Sequence, residues 1–329
     1  MNILIVKLSS LGDVVHAMPA VQDIRAALPD AQIDWVVERG FAPLVQRCGG
    51  VRRVVACELR RWSKSPLSAR TRSEWRSFRN ELQRESYDAV IDLQGLTKSA
   101  LIARMAKLAP AGQRYALANQ TEGSGYEAPT RWAADVAVRI ESRSHAVQRS
   151  RVLCALALGY GVPASMHFGL VSNVDRTAAA MNNVASRCVA LIHGTSRDDK
   201  LWPEAHWIAL GRRLLGEGLQ IGLPHGDDAE RRRSERIVDA LGADAQSWPR
   251  LDLDALADRL AGCASAVGVD SGLSHIAMAL GLPLVQIYNF DTAWRTGPSD
   301  QSHQVSVFAS PAPVVDAVWR AWQQVCAPR

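Results

Sequence analysis

The chain has 329 residues, of which 47% are hydrophobic and 22% charged, and this length allows two domains with cores of their own. An ordinary composition without low complexity excludes a disordered or fibrous protein, and no apolar run approaches the roughly 18 residues of a spanning helix. The net charge of +5 mildly favours anionic partners. The opening Met1–Lys7 is typical of a buried strand and lacks signal-peptide features, so we expect a cytoplasmic protein.

Short apolar runs alternate with amphipathic runs along the chain. The predicted strands are Ile3–Val6, Ile33–Val37, Arg53–Ala56, Ala89–Ile91, Val189–Ile192, Leu219–Leu223, Ala264–Val269 and Leu284–Tyr288. The predicted helices are Pro19–Leu28, Ser73–Gln83, Ser99–Lys107, Pro203–Leu215, Asp228–Leu241 and Leu253–Leu260. This alternation with short connections indicates an α/β fold with parallel sheets covered on both faces.

The alternation is interrupted over residues 160–187, and a new first strand begins at Cys188. We therefore predict two Rossmann-like domains, residues 1–165 and 166–329, that face each other across a cleft. The last helix, about residues 313–325, is expected to pack back on the body. No dinucleotide-binding G-x-G-x-x-G occurs in the second half. Ligands bind beyond the carboxyl ends of the strands in such domains, an arrangement that suits an enzyme joining two substrates.

The six cysteines are scattered without a C-x-x-C pair. This spacing indicates neither a zinc site nor a disulfide framework, and we expect reduced, buried thiols.

A small, polar turn, Lys7-Leu-Ser-Ser-Leu-Gly-Asp13, follows the first predicted strand and leads into a helix. Its position at the carboxyl end of a strand makes Asp13 a candidate for chemistry. Asp13 is equally suited to the first turn of a helix, and Ser9 and Ser10 to ordinary caps. Spacing alone leaves both interpretations open.

Residues 58–88 carry eight cations against five acids, with Trp62, Trp75 and Phe78 interleaved. Arg76 to Arg84 fits a solvated amphipathic helix, whereas Arg60-Arg61-Trp62-Ser63-Lys64 is predicted as a loop and is a candidate anion-binding patch. Trp62 and Trp75 fit burial as well as they fit a membrane interface. Nucleic acid is not favoured as a partner, because no recognition module is present and the net charge is modest.

The turn His193-Gly-Thr-Ser-Arg-Asp-Asp-Lys200 follows the first strand of the second half. Its backbone amides, the hydroxyls of Thr195 and Ser196 and the ammonium of Lys200 are suited to surround phosphate oxygens. Residues 197–199 are expected to form a local ion-pair network, since two adjacent carboxylates are a weak magnesium signal.

The strongest anion-site signal is Asp270-Ser-Gly-Leu-Ser-His275, between a predicted strand and a helix-like run. The unpaired N–H groups and positive dipole of a helix start favour a diphosphate there, although Asp and Ser also serve as plain caps. His275 is expected to contact the ligand. His145, His206 and His225 are expected to be structural.

Taken together and in this order, these segments resemble the type I lipopolysaccharide heptosyltransferases of glycosyltransferase family 9. The resemblance covers nearly the whole chain and is carried by Lys7–Asp13, Arg60–Lys64, Tyr87–Ser99, Thr195–Pro203 and Asp270–His275. It implies the two-domain GT-B architecture. It also implies transfer of L-glycero-D-manno-heptose from ADP-heptose to the inner Kdo of Kdo2-lipid A, with inversion at the anomeric carbon.

The resemblance assigns roles to individual residues. Asp13 matches the general base, and because a free Asp has a pKa of about 3.9 it would act late in bond formation. The residues that match donor contacts are Thr195, Ser196 and Lys200 at the phosphates, Glu230 at the ribose, and Asp270, Ser271, Gly272 and His275 in the donor loop. The residues that match acceptor contacts are Ser10, Gly12, Arg60, Arg61 and Lys64. No metal and no other cofactor is expected to be required.

The chain departs from the family pattern at residues 120–126, where an arginine-bearing acceptor loop is expected. Four arginines near this segment could supply the charge: Arg114, Arg131, Arg143 and Arg149. Ser63 also stands where the family often has a basic residue.

Two other functions stay open. One is a heptosyltransferase II or related enzyme acting on an already heptosylated core, although the segments Lys7–Asp13 and Thr195–Lys200 favour type I. The other is a non-catalytic protein that binds anionic glycolipid and has no need of Asp13. Delivery of the acceptor would place the protein peripherally at the cytoplasmic face of the inner membrane.

Overall fold

The computed structural model describes residues 1–173, 187–299 and 302–327. The chain divides into two compact units, Met1–Leu170 and Val171–Arg329, whereas the sequence places the boundary between residues 165 and 166. Within the interrupted stretch 160–187, residues 174–186 lie outside the described residues. No helix in the described part of the chain combines the length and apolar character needed to cross a bilayer.

The first unit contains a six-stranded parallel sheet. Its strands are β1 (Asn2–Val6), β2 (Gln32–Glu38), β3 (Val51–Cys57), β4 (Ser86–Asp92), β5 (Lys107–Leu117) and β6 (Val136–Val138). Its helices are α1 (Leu11–Ala27), α2 (Ala42–Gln46), α3 (Leu59–Trp62), α4 (Ala69–Leu82), α5 (Thr97–Met105), α6 (Thr130–Ala133) and α7 (Ala146–Leu158). The apolar residues of β1 are fully buried, as expected for a central parallel strand.

The second unit contains another six-stranded parallel sheet. Its strands are β7 (Cys188–Ile192), β8 (Gln220–Leu223), β9 (Ala245–Ser247), β10 (Ser265–Val269), β11 (Leu284–Tyr288) and β12 (Gln304–Phe308). Its helices are α8 (Glu204–Gly216), α9 (Asp228–Leu241), α10 (Leu253–Ala261), α11 (Gly272–Ala279), α12 (Ala293–Thr296) and α13 (Val315–Cys326). The last helix packs on this unit's own core, where Trp322 donates a hydrogen bond to Ser265.

Both sheets have the same strand order. It is β3-β2-β1-β4-β5-β6 in the first unit, and β9-β8-β7-β10-β11-β12 in the second when that sheet is read in the same direction. The order reverses between the first and fourth strands of each unit, which creates a switch point where the loops after these strands diverge. The prediction of an α/β fold with two Rossmann-like domains is therefore confirmed.

Some local predictions are wrong. Helix α1 begins at Leu11 rather than Pro19, because Asp13 caps its start by accepting a hydrogen bond from the Ser10 backbone amide at 3.1 Å. Residues 60–62 lie in α3 rather than in a loop. Trp62 is buried and packs edge-to-face on Trp75, so the interface alternative fails for Trp62.

Candidate functional site

Asp13 occupies the switch point of the first unit, in the first turn of α1. Its Oδ2 accepts hydrogen bonds from the Ser10 amide at 3.1 Å and the Ser10 hydroxyl at 2.8 Å. Its Oδ1 lies 3.7 Å from both Lys7 Nζ and Arg149 Nη2, which is longer than a hydrogen bond. The carboxylate is therefore oriented on one side and electrostatically held on the other.

The two cations beside Asp13 are themselves fixed. The buried Lys7 ammonium donates to the Leu93 carbonyl at 3.1 Å, and Arg149 donates to the Thr121 hydroxyl at 3.0 Å. Burial lowers the pKa of Lys7 below its usual range, although Asp13 opposes that shift. Burial alone would raise the pKa of Asp13, but the charges of Lys7 and Arg149 outweigh it, so this pKa is lowered. The site keeps Asp13 ionised.

The end of β4 completes this switch point. The Gln94 side-chain oxygen accepts hydrogen bonds from the backbone amides of Leu8 and Ser9, both at 3.1 Å, and ties the two diverging loops together. Asp92 is buried, and its carboxylate accepts hydrogen bonds from the Gln94 backbone amide and the Ser99 hydroxyl, both at 2.9 Å. Burial raises the pKa of Asp92 to about 6, despite these hydrogen bonds. Asp92 therefore belongs to the support of the site.

The predicted acceptor residues are not all brought together. Ser10 is the N-cap of α1 and is bonded to Asp13, and Gly12 lies in the same first turn. In α3, Arg61 forms ion pairs with Glu58 and Glu74. The remaining two basic residues are exposed: Arg60 and Lys64. Arg60 and Lys64 therefore present a charge to solvent, whereas the charge of Arg61 is compensated inside the unit.

The switch point of the second unit carries a second lysine–aspartate pair. Lys200 Nζ lies 2.6 Å from Asp270 Oδ2, and His275 Nε2 lies 3.5 Å from Asp270 Oδ1. The Thr296 hydroxyl also donates to Oδ1 at 3.4 Å. Burial would raise the pKa of Asp270, but His275 and Lys200 hold it far below its usual range. Three predicted donor residues are thus one electrostatic unit.

The other predicted donor residues lie in the two loops that hold this pair, one after β7 and the other after β10. The Thr195 hydroxyl donates to the Asp270 carbonyl at 3.2 Å, while Ser196 is exposed. Ser271 is the N-cap of α11 and Gly272 its first residue. The first N–H groups of a helix have no partner within the helix, so this start can bind an anion.

Glu230 lies in helix α9, and its carboxylate approaches Gly194 in the loop that follows β7. Its Oε2 accepts a hydrogen bond from the Gly226 amide at 2.6 Å. A Cβ atom added at Gly194 would stand 2.2 Å from Glu230 Oε1. Gly194 is therefore the residue whose missing side chain gives the Glu230 carboxylate its place beside Thr195.

Three other residues that the sequence analysis considered have structural partners: Arg197, His206 and Arg114. Arg197 pairs with Asp199, as predicted for a local ion-pair network. His206 packs edge-to-face on the Trp202 ring, with the ring centres 5.1 Å apart. Arg114 is paired with Asp135 at 3.7 Å and donates to helix carbonyls. Each of these residues has a structural partner within its own unit.

The cysteines are free thiols, four buried and two half-buried. Across the described ranges, no group of three His, Cys, Asp or Glu side chains is arranged to hold a metal ion.

Sequence reasoning missed Lys7 and Gln94 as members of the Asp13 site, and it offered Arg149 only as one of four arginines that could supply charge near residues 120–126. Lys7 carried a usable signal, because a lysine at the carboxyl end of a buried strand must find a partner for its charge. No sequence signal placed Arg149 against Asp13, since it reaches Asp13 from α7. Its guanidinium donates to the hydroxyl of Thr121, which lies in the segment where an arginine-bearing loop was expected.

Comparison with known proteins adds independent evidence. The model of glycosyltransferase family 9 (heptosyltransferase) matches residues 75–316. The chain is 38% identical to lipopolysaccharide heptosyltransferase 1 of Escherichia coli K12, over 91% of this chain and 89% of that protein. It is 38% identical to the protein of the same name from Pseudomonas aeruginosa, over 92% and 82%. The solved E. coli heptosyltransferase WaaC with ADP-2-deoxy-2-fluoro heptose superposes with a TM-score of 0.80 at 34% identity, covering 97% of this chain and 98% of that one.

Proposed function

The chain belongs to glycosyltransferase family 9, and we propose that it transfers L-glycero-D-manno-heptose from ADP-heptose to the inner Kdo of Kdo2-lipid A. This is a step of lipopolysaccharide inner-core synthesis. The observation that carries the proposal is the half-exposed Asp13 carboxylate held between two buried cations, in a chain that resembles type I relatives over most of its length.

The donor is assigned to the second unit. A nucleoside diphosphate carries negative charge that grows on its leaving oxygen as the sugar departs. Lys200 and the start of α11 are positive groups already fixed in place, so they would stabilise that charge without reorganisation. The solved relative with an ADP-heptose analogue supports ADP-heptose as the donor.

Asp13 is assigned the proton transfer. The Kdo hydroxyl oxygen attacks the anomeric carbon from the face opposite ADP, the bond to the diphosphate oxygen breaks, and Asp13 receives the hydroxyl proton. Because the pKa of Asp13 is lowered, the carboxylate is a weak base toward a neutral alcohol. The proton therefore moves late, when the new bond has made the hydroxyl acidic.

The acceptor is assigned to the first unit, where Arg60 and Lys64 are exposed. Basic side chains near anionic headgroups contribute about 1 kcal/mol each to membrane attraction. We accordingly place the working enzyme at the cytoplasmic face of the inner membrane, in peripheral contact with the leaflet that holds its acceptor.

A divalent cation is not required in this proposal, because Lys200 and the helix start supply the positive charge at the diphosphate. We expect the rate of ADP release to be the same with EDTA as with added Mg²⁺. A rate that falls with EDTA and returns with Mg²⁺ would show that a metal ion shares this role.

The decisive experiment offers two acceptors to the purified protein with ADP-heptose. One is Kdo2-lipid A and the other is the same molecule already carrying one heptose, and the products are weighed by mass spectrometry. A mass increase of one heptose on Kdo2-lipid A is expected. Product from the heptosylated acceptor alone would establish a type II activity instead.

A further inference from the structure

The second unit contains a cavity at the edge of its sheet where the strands begin. It has a volume of about 510 Å³ and is lined by the starts of β7, β8 and β9 and by the end of α10. Two cysteines line it together: Cys188, the first residue of β7, and Cys263, which follows α10. The two donor loops leave the opposite ends of β7 and β10, so the proposed function does not use this cavity.

The sheet brings the two cysteines together. Strands β7 and β10 are paired neighbours, and the amide of Ala264 donates to the Cys188 carbonyl at 2.8 Å. Cys263 therefore lies beside the start of β7, and its thiol hydrogen-bonds the Cys188 thiol. Neighbouring strands are about 4.8 Å apart, which is within the Cα separation that a disulfide spans. A bond between the two sulfur atoms is thus compatible with the strand pairing.

Cys188 has the surroundings of a reactive thiol. It is half-buried and lines the cavity, so a small solute can reach its sulfur. The hydrogen bond with Cys263 and the charge of Arg259 outweigh the effect of burial and lower the pKa of Cys188. Burial instead raises the pKa of the Cys48 and Cys57 thiols, each to about 12. The thiolate is the nucleophilic form, so oxidation is expected at Cys188 before these two cysteines.

A reactive cysteine beside a second thiol is the arrangement of an oxidation-sensitive dithiol. We propose that Cys188 and Cys263 are a modification site, at which a peroxide joins their two sulfur atoms in a disulfide. The Cys188 thiolate attacks one peroxide oxygen, the O–O bond breaks, hydroxide leaves, and Cys188 becomes a sulfenic acid. The Cys263 sulfur then attacks the Cys188 sulfur, the S–O bond breaks, and water leaves with the proton of the Cys263 thiol. Two thiols and one hydrogen peroxide give one disulfide and two water molecules.

The disulfide would link the starts of two strands whose far ends lead to the donor residues Lys200 and Asp270. A small thiol such as glutathione would restore both cysteines by exchange. This reversibility fits the transient or redox-sensing role of disulfides in a reducing compartment. The proposal does not rest on the proposed function, because it concerns the two thiols alone and is tested with no substrate present.

The experiment treats the folded, full-length protein with hydrogen peroxide, alkylates the remaining thiols in urea, and maps a non-reduced digest by mass spectrometry. We expect one crosslinked peptide pair that joins Cys188 to Cys263, with the other four of the six cysteines alkylated. Dithiothreitol should remove this crosslink. The proposal would be overturned by a crosslink between other cysteines, by a sulfinic acid at Cys188 with Cys263 still alkylated, or by alkylation of both.

Two serine variants separate the steps of the reaction. In Cys263→Ser the second thiol is absent, so the sulfenic acid of Cys188 should accumulate and react with dimedone. The serine hydroxyl keeps a hydrogen-bonding group beside Cys188. In Cys188→Ser the attacking thiol is absent, so Cys263 should stay reduced at the same peroxide concentration. Dimedone labelling that is missing from Cys188, or found on Cys263, would contradict this order of steps and with it the proposal.

Arg259→Gln tests the charge beside the pair. Loss of this cation lowers the thiolate fraction of Cys188, so the disulfide should form about threefold more slowly. Arg250→Gln changes an exposed arginine of the same unit that does not line the cavity, and its rate should equal that of the wild type. A rate that Arg259→Gln leaves unchanged would remove the electrostatic activation on which the proposal depends.

Discussion

The two switch points place the same pair of residue types in opposite environments. In the first unit the lysine is buried and the aspartate is not: the Lys7 side chain is 2% exposed and that of Asp13 is 36% exposed. In the second unit the aspartate is the buried partner, with Asp270 at 6% and Lys200 at 20%. The ammonium-to-carboxylate distance is 3.7 Å in the first unit and 2.6 Å in the second.

In the proposed function, the accessible member of each pair is the one that meets a substrate. The accessible member has the chemistry assigned to its unit, a carboxylate for proton transfer and an ammonium for a diphosphate. The buried member fixes the ionisation and position of its partner. The switch point of the first unit thus exposes a carboxylate and that of the second unit an ammonium, because a different member of the lysine–aspartate pair is buried in each.

The comparison is tested most severely by Asp13→Asn. The amide preserves shape and cannot accept the proton, so we expect kcat to fall about a thousandfold. ADP-heptose binding, measured by calorimetry, should stay unchanged because the donor residues belong to the other unit. Near-normal turnover would refute the base assignment, and a matched change at an exposed site, Asp30→Asn, should leave kcat at the wild-type value.

Lys200→Gln should produce the next largest effect. Loss of the ammonium removes stabilisation of the leaving diphosphate, so kcat/KM for ADP-heptose should fall about a hundredfold. It also leaves the buried Asp270 without its closest cation, so the folded protein should be less stable to urea. Asp270→Asn, alone and combined with Lys200→Gln, separates the two effects: if the double variant regains stability but is slower than Asp270→Asn alone, Lys200 acts on the substrate as well as on Asp270.

Lys7→Met tests the buried member of the first pair. Removing a cation near a carboxylate raises the pKa of that carboxylate by about one unit or more. The acid limb of kcat/KM should therefore move to higher pH, since Asp13 loses its charge as the pH falls through its pKa. In the wild type, activity that depends on Lys7 should decline as the pH rises through the lowered pKa of Lys7.

A control for Lys7→Met is Lys107→Met, which changes an exposed lysine of the same unit. Its pH profile should overlay that of the wild type. An unshifted acid limb in Lys7→Met would mean that Lys7 stabilises the fold without tuning Asp13.

The fold could be predicted from the sequence because the central strands are continuous apolar runs, as in Ile3–Val6 and Val189–Ile192. Strands such as β12 escaped prediction, since Gln304 and Ser306 interrupt its apolar pattern. In the site, residues within one loop could be predicted together, as Thr195 and Lys200 were. Arg149 could not, because only the packing of α7 on α1 brings it to Asp13.

Gly194→Ala is expected to have the smallest effect on activity. It tests whether the role of Glu230 depends on the position of its carboxylate. The new Cβ would lie 2.2 Å from the Glu230 carboxylate and displace it, with no charge removed. Because that carboxylate is assigned to the donor ribose, KM for ADP-heptose should rise severalfold, while kcat changes little.

Glu230→Ala should give a similar increase in KM, and the double variant should not exceed the larger single effect, because both changes remove one contact. Gly216→Ala, where nothing lies within 4 Å of the added Cβ, is the matched control and should leave KM unchanged. Additive effects of the two substitutions would show that Gly194 contributes to the donor site through its own backbone rather than by making room for Glu230.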